Sequence, residues 1–250
     1  MYGRFSNFAG PISTRPFASG SVIVSTGLIL NYDIGNASSY PGTGATVTDL
    51  QANSNASLFN TPIYSASPGY LTFNGSTQYL MTSTSLNSKL SPANTSKVIS
   101  LFLWAYMSDN GVLISEQGQT TLDGGWYDSQ IERVAGTLRF SVWSNGTGFA
   151  STVATSLNVW YYIGFTYDGT TLRGYVNGAA AGTGTYARQS PYVDGGGAGL
   201  HYAVAAGTGT SLGDGTYSNM RLGAFQVYNT ALSAAQVSTN FQAGRGRYGV

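Results

Sequence analysis

The sequence contains no cysteine, and its only histidine is His201. Disulfide bonds and thiolate metal sites are therefore excluded, and the redox compartment stays open. A structural zinc site takes about four nitrogen or sulfur ligands, so a single histidine makes zinc binding unexpected. No G-x-S-x-G motif accompanies His201, and the glycine runs lack the strand and helix setting of phosphate-binding loops.

Charged residues are also scarce. Eleven Lys or Arg residues stand against ten Asp or Glu residues, which gives a net charge of +1. Nucleic-acid binding draws its affinity from many contacts between basic side chains and phosphates. Because the chain has no basic run, we expect no nucleic-acid partner.

Long apolar runs are missing as well. No run approaches the roughly 18 residues needed to span a bilayer. Residues 1–20 also lack the apolar core that a secretory signal peptide requires. We therefore expect no membrane insertion, and we expect that the chain does not cross a membrane by itself.

Apolar residues make up 42% of the 250 residues, which is enough for one sizeable core and a single domain. The clearest element is the stretch 160–178, WYYIGFTYDGTTLRGYVNG. Inward and outward positions alternate from Leu172 to Val176, the period of two of a half-buried strand. Asp168 and Gly169 form a D-G pair that favours a tight turn, so this stretch predicts a hairpin.

Alternating or apolar segments predict further strands, and the pair Asn74-Gly75 predicts a hairpin between two of them. The stretch 96–108 is apolar on both faces, which indicates a strand covered on both sides or an aromatic floor of a groove. Residues 178–217, rich in Gly, Ala and Thr, predict one strand near 200–205 between two exposed loops. The other predicted strands are 22–32, 56–59, 70–73, 78–81, 112–116, 126–133, 138–143, 153–157 and 220–228.

One helix is predicted after the last strand. Ser233 and Gln236 have the S-x-x-Q spacing of a capping box, in which each side chain bonds the other residue's backbone N–H. Gly244 is expected to end the helix, because glycine adopts the positive φ of a helix terminus. Residues 244–250 are therefore predicted to form a flexible tail.

Four stretches together resemble the laminin-G-like, concanavalin-A-like lectin/glucanase superfamily, of the kind found in phage and other viral structural proteins. They are the hairpin 160–178, residues 28–58, LTFNGSTQYL at 71–80 and LGAFQVYNTALSAAQVSTNF at 222–241. The resemblance implies an all-β fold, an antiparallel jelly-roll β-sandwich with one short helix near its C-terminal end. Lectins, glycanases, adhesion modules and virion proteins share this sandwich, so the fold alone does not select a function.

The resemblance divides the chain into an extended N-terminal arm (1–21), a sandwich (22–243) and a tail (244–250). The arm combines large apolar side chains with glycines and prolines that break any regular period. Two interpretations are open: the arm docks on a neighbouring subunit, or it folds over its own sandwich. Its candidate assembly residues are Tyr2, Phe5, Phe8 and Phe17.

The candidate binding residues form two sets. Asp33, Asn36 and Asp49 offer oxygen ligands for Ca²⁺, although no cofactor is required. Asx side chains also cap turns, and we favour that role because their spacing matches no fixed calcium loop. The chain has 18 tyrosines and four tryptophans, rings that suit contacts with sugars or proteins. The candidate ligand-binding residues, in or beside predicted loops, are Trp126, Tyr127, Trp143, Tyr192 and Tyr202.

Catalytic residues are not indicated. A retaining glycanase needs two carboxylates about 5 Å apart, and Glu116 and Glu132 are the only glutamates. The E-x-D-x-x-E pattern of laminarinase-like relatives is absent. Asp123, Asp128 and Glu132 would face one another only through an accident of looping, so we expect that the protein is not an enzyme.

These features favour a virion structural protein, a capsid-decorating or tail/fibre component of a bacteriophage. Its partners would be other virion proteins or copies of itself, with cell-surface glycans as further contacts. The alternative is a carbohydrate-binding lectin or adhesion module. The arm separates the two, because an assembly protein needs it for association and a lectin does not.

Overall fold

The computed structural model describes residues 22–90, 98–124, 127–142, 148–187, 199–209 and 213–250. These residues form two antiparallel sheets packed face to face, a two-stranded ribbon, one α-helix and a short 3-10 helix at Asn87–Lys89. The predicted all-β sandwich with one C-terminal-side helix is confirmed. The predicted arm, residues 1–21, lies outside the described residues.

The elements follow one another along the chain as listed here: β1 (Leu28–Asp33), β2 (Thr46–Val47), β3 (Ala56–Phe59), β4 (Ile63–Ser65), β5 (Tyr70–Asn74), β6 (Tyr79–Thr82), β7 (Ile99–Met107), β8 (Gly111–Gln117), β9 (Tyr127–Val134), β10 (Thr137–Ser141), β11 (Gly148–Ala154), β12 (Trp160–Tyr167), β13 (Thr171–Val176), β14 (Ala179–Thr185), β15 (His201–Val204), β16 (Ala206–Gly209), β17 (Gly213–Tyr217), β18 (Asn219–Tyr228) and α1 (Ala234–Tyr248). Within the described ranges, sheet A has the order β14-β13-β12-β7-β18-β5-β4, with β1 also paired to β18. Sheet B has the order β11-β10-β9-β8-β15-β6-β3-β2, and β16 pairs with β17 in the ribbon.

The predicted central hairpin is confirmed. Strands β12 and β13 pair antiparallel from Ile163 opposite Val176 to Tyr167 opposite Leu172. A Cβ atom at Gly174 would lie 2.5 Å from the ring of Phe140, which belongs to the opposite sheet. Gly174 therefore lets the two sheets approach closely at this point.

Strand β7 is covered on both faces, as one of the two interpretations of 96–108 predicted. Leu101 and Leu103 belong to the main core between the sheets. Phe102 and Trp104 belong to a second cluster, which sheet A forms with the apolar face of α1. The aromatic side of β7 is therefore packed under the helix.

The turn at Asn74 does not form the predicted hairpin. Strand β5 pairs with β18 in sheet A, whereas β6 pairs with β3 and β15 in sheet B. The Asn74 side chain accepts hydrogen bonds from the backbone N–H groups of Ser76, Thr77 and Gln78, at 3.0 to 3.2 Å. The hairpin prediction was wrong because the local turn chemistry does not choose the partner strand, and this turn carries the chain across the sandwich.

The glycine-rich stretch 178–217 contains more strand than predicted. Its described part forms β14, β15, β16 and β17 rather than one strand. Ser115 Oγ donates to the carbonyl of Ala206 at 2.8 Å, and Gly207 leaves no room for a Cβ atom against Ser115. Small residues here let the ribbon lie directly on sheet B.

The capping box of the helix is confirmed. Gln236 donates its N–H to Ser233 Oγ at 3.3 Å, and the Gln236 side chain accepts the Ser233 N–H at 2.8 Å. The helix does not end at Gly244, however, but continues to Tyr248, and Gly249 provides the left-handed C-cap. The prediction for 244–250 was wrong, since most of the expected tail is the last turn of α1.

Tertiary contacts explain why the helix passes Gly244. A Cβ atom at Gly244 would lie 2.4 Å from Trp104 Nε1, so glycine allows close packing of the helix on sheet A. Arg247 donates to Asp33 Oδ1 at 2.5 Å and to the Pro68 carbonyl at 2.7 Å. Tyr248 is buried. Among the described residues, no helix has the length and apolarity needed to cross a bilayer.

Candidate functional site

The three candidate calcium ligands have separate structural roles. Asp33 pairs with Arg247, and Asn36 Oδ1 accepts the N–H of Ser38 at 2.9 Å. Asp49 is buried and accepts four backbone N–H groups. The described part of the chain holds no group of three or more His, Asp or Glu side chains that could bind a metal. The contacts of these three side chains fit the turn-capping role that we favoured over calcium binding, since each accepts the backbone N–H two residues further on.

The structure describes two of the five candidate ligand-binding aromatic residues, Tyr127 and Tyr202. Tyr202 lies in β15 at the centre of sheet B, packs against Phe225 and donates its hydroxyl to Glu116 Oε1 at 3.0 Å. Because Tyr202 is fully buried, its assignment as a ligand-binding residue was wrong. Tyr127 is half-buried at the start of β9, opposite Gln117. The remaining candidates lie outside the described residues: Trp126, Trp143, Tyr192, Tyr2, Phe5, Phe8 and Phe17.

The acidic residues of sheet B are closer together than the sequence indicated. Glu116 on β8 lies directly opposite Asp128 on β9. Glu132 accepts a hydrogen bond from Ser129 Oγ at 2.6 Å. Glu116, Asp128 and Glu132 are at most 5% exposed, so these carboxylates belong to a buried network and not to an open cleft.

The ribbon covers one part of the outer face of sheet B. Ser218, which follows the ribbon, donates its hydroxyl to the carbonyl of Val112 at 2.7 Å. The part formed by β3 and β6 carries the half-buried side chains Ser57, Phe59 and Tyr79. Ligands can therefore reach sheet B at β3 and β6.

A cleft of about 250 Å³ lies at this point, and we call it the sheet-B cleft. Phe59 and Tyr79, directly opposite each other across β3 and β6, stack with centroids 4.3 Å apart and planes 2° apart. The ring of Tyr217 from the ribbon lies 6.3 Å from that of Tyr79. The residues lining the cleft are Ser57, Phe59, Met81, Thr82, Ser83 and Thr120.

Hydrogen-bonding groups surround the aromatic pair. Burial raises the pKa of Tyr79, and the neighbouring Tyr217 and Asp123 raise it further. Asp123 Oδ1 is buried without a hydrogen-bond partner among the described residues. Burial also lowers the pKa of His201, although the hydrogen bond of its ring to the Thr82 carbonyl opposes this shift. The site thus combines ring faces and hydroxyl groups with a carboxylate acceptor nearby.

Phe59, Tyr79 and Tyr217 were not predicted as site residues. For Phe59 the local signal is the alternation of buried and half-buried side chains in β3, whereas in β6 the half-buried Tyr79 is followed by three buried residues. That period marks a solvent-facing side, but it does not show that rings of distant segments meet. The stack depends on the register that pairs β3 with β6.

A comparison with family models identifies the fold family. The model described as the concanavalin A-like lectin/glucanases superfamily matches residues 74–238. The chain belongs to this superfamily. The predicted resemblance is therefore confirmed. Within this concanavalin A-like domain, Tyr79, Asp123 and Tyr217 fall inside the matched residues, whereas Ser57 and Phe59 precede them.

A search of curated protein sequences finds no match. Solved structures with the same fold include a Trypanosoma rangeli sialidase in complex with sialic acid, with a TM-score of 0.62 and 14% identity over 88% of this chain. The binding domain of botulinum neurotoxin DC in complex with SialylT gives a TM-score of 0.60 and 12% identity over 87% of this chain. The concanavalin A-like chain spans 33% of the sialidase and 51% of the neurotoxin structure.

Proposed function

We propose that this concanavalin A-like domain is a non-enzymatic carbohydrate-binding module that holds glycans at the sheet-B cleft. The observation that carries the proposal is the stacked pair Phe59 and Tyr79, half-buried beside a cleft lined with hydroxyl groups. A sugar ring presents an apolar C–H face, which packs on aromatic rings, and hydroxyl groups at its edge. Ser57, Ser83 and Thr120 are placed to bond such hydroxyls.

Solved structures of the same fold support glycans as the class of ligand. The Trypanosoma rangeli sialidase of this fold is solved in complex with sialic acid. Botulinum neurotoxin type C, whose structure shares 13% identity with this chain, depends for cell entry on interaction with two ganglioside molecules. At this identity the likeness concerns the fold, so the choice of glycan rests on the cleft itself.

The proposal that this module is not an enzyme rests on the positions of its acidic side chains. Glycoside hydrolysis needs two carboxyl groups on either side of an accessible glycosidic bond. None of the residues lining the sheet-B cleft is acidic. Glu116 and Asp128 are opposite each other but buried, so a glycan on the cleft does not reach them.

We expect Phe59→Ala or Tyr79→Ala to weaken glycan binding about tenfold, because either change removes half of the stacked pair and a tenfold change equals about 1.4 kcal/mol. An array of neutral and sialylated oligosaccharides would identify a bound glycan. Calorimetric titration of that glycan would then compare the variants with the unaltered protein.

Tyr64→Ala is the matched control, since Tyr64 is a half-buried tyrosine on β4 in the other sheet. It should bind the glycan with unchanged affinity. Bound glycan should be recovered intact, with no new reducing ends. Equal binding by all variants would refute the site, and glycan cleavage would refute the non-enzymatic role.

For the biological setting, we propose a virion structural protein, located in the virion as a capsid-decorating or tail/fibre component. One surface feature supports assembly: Ile63 is 69% exposed on β4, the last strand in the order of sheet A. A strand at a sheet edge presents backbone groups that can pair with another chain. We assign the partner contact to this edge and to Phe5, Phe8 and Phe17 of the N-terminal segment.

Replacing Phe5, Phe8 and Phe17 together by serine is expected to convert an assembly of the full chain into monomers. Burial of apolar surface at about 25 cal/mol per Å² is lost with the three rings. Sedimentation velocity at micromolar concentration measures the change, and Ile63→Ser tests the edge strand separately. A protein that is monomeric before any substitution, and that does not bind phage particles, would contradict the virion role.

A further inference from the structure

A second cleft lies between helix α1 and the outer face of sheet A, whereas the sheet-B cleft lies on the other sheet. Its volume is about 270 Å³, and we call it the helix cleft. The lining residues that carry the argument are Asn31, Asp33, Trp104, Ala224, Ala243 and Tyr248.

The register of sheet A explains why this space is open. Ala224 on β18 lies between Asp33 on β1 and Trp104 on β7, directly opposite each of them. On the helix, Ala243 also lines the cleft. Because these two alanines have short side chains, the sheet and the helix do not close the space between them.

Two polar atoms of the cleft have no hydrogen-bond partner among the described residues. They are Asn31 Oδ1 and the Tyr248 hydroxyl, and their residues are only 9% and 6% exposed. Buried polar atoms nearly always have a partner, and a missing one points to a bound molecule or water. Other polar groups between helix α1 and sheet A have partners. For example, the Tyr162 hydroxyl donates to Gln226 Oε1 at 3.0 Å.

The charges in the cleft compensate each other. Arg247 pairs with Asp33 at 2.5 Å. Its other nitrogens donate to the carbonyls of Pro68 and Gly69, at 2.7 and 3.1 Å. Each of the three guanidinium nitrogens therefore has a partner, and Arg247, the one cation among the described lining residues, is already paired with Asp33.

We infer that the helix cleft binds one neutral, hydroxyl-rich ring of the size of a monosaccharide. A volume of about 270 Å³ lies just below the roughly 300–1,000 Å³ of sites for larger small molecules. Ligand hydroxyls can donate to Asn31 Oδ1 and bond the Tyr248 hydroxyl, while the C–H face meets Ala224 and Ala243. This inference concerns a site separate from the sheet-B cleft and does not depend on it.

The test uses the full chain and the methyl glycosides of glucose, galactose, mannose and N-acetylglucosamine as probes. Saturation-transfer NMR titrations would give the affinity of each probe. Tyr248→Phe and Asn31→Leu remove the two unpartnered atoms with little change of shape, and each is expected to weaken binding at least tenfold. The melting temperature should stay equal or rise, because neither atom bonds the protein in the free state.

Two leucine substitutions on helix α1, one inside the cleft and one outside it, complete the test. Ala243→Leu fills the cleft and should abolish binding, whereas Ala235→Leu, at an exposed position of α1, should leave it unchanged. Tyr79→Ala, which alters only the sheet-B cleft, should bind the glycosides normally. The inference is overturned if no glycoside binds, if Tyr248→Phe and Ala243→Leu bind like the unaltered protein, or if Tyr79→Ala alone abolishes binding.

Discussion

Trp104→Ala is expected to lower the free energy of unfolding by about 3–5 kcal/mol, the usual cost of truncating a large buried aromatic residue. Trp104 is 3% exposed and lies between sheet A and helix α1. Its ring stacks on that of Tyr248, with centroids 4.5 Å apart, and on that of Phe241 at 5.9 Å. Removing the indole would leave a cavity where the helix contacts the sheet.

Urea unfolding followed by circular dichroism would measure this loss. Trp104→Phe is the matched control, because it keeps an aromatic ring in the same position and should cost clearly less. The role assigned to Trp104 would be untenable if alanine cost less than about 1 kcal/mol, since the helix would then not depend on the indole for its docking.

Asp49→Ala should cost about 3 kcal/mol or more, because it leaves several buried backbone donors without a partner. Asp49 is 3% exposed. It accepts the N–H groups of Asn31 at 2.8 Å, Gln51 at 3.0 Å, Asn53 at 2.9 Å and Ser54 at 3.1 Å. These bonds hold the loop after β2 against strand β1.

Thermal unfolding of Asp49→Ala, with and without chelator, would test this role. Asn36→Ala provides a control, since Asn36 caps an exposed turn through a single bond to the N–H of Ser38 and should cost about 1 kcal/mol or less. A chelator should leave the melting temperature of the unaltered protein unchanged. A fall of several degrees, reversed by Ca²⁺, would restore Asp33, Asn36 and Asp49 as metal ligands.

Local sequence signals predicted those elements whose partners are adjacent in the chain. The hairpin of β12 and β13 follows from alternation and the turn at Asp168, whose Oδ1 accepts the N–H groups of Thr170 and Thr171 at 3.1 and 2.8 Å. The start of α1 follows from Ser233 and Gln236, which bond each other. In such cases the interacting groups lie within a few residues, so their spacing is sufficient for prediction.

Local sequence signals did not predict the candidate site, because its residues are brought together by strands that are distant in the chain. Tyr202 is next to residues with loop-like composition, yet β15 pairs with β6 and β8 and places the ring in the core. Phe59 and Tyr79 become a stacked pair only because β3 and β6 are in one register. No feature of either short strand specifies the other.

The sequence by itself indicated the superfamily and its sandwich through the resemblance of four stretches, and it predicted individual strands and the beginning of the helix because alternation and turn residues act locally. Only the tertiary structure decided that Asn74 links two sheets, that Gly244 lies within the helix against Trp104, and that both clefts exist. These outcomes depend on contacts between segments far apart in the chain. The free energy of these contacts comes from side-chain packing and strand pairing, which no single stretch of residues encodes.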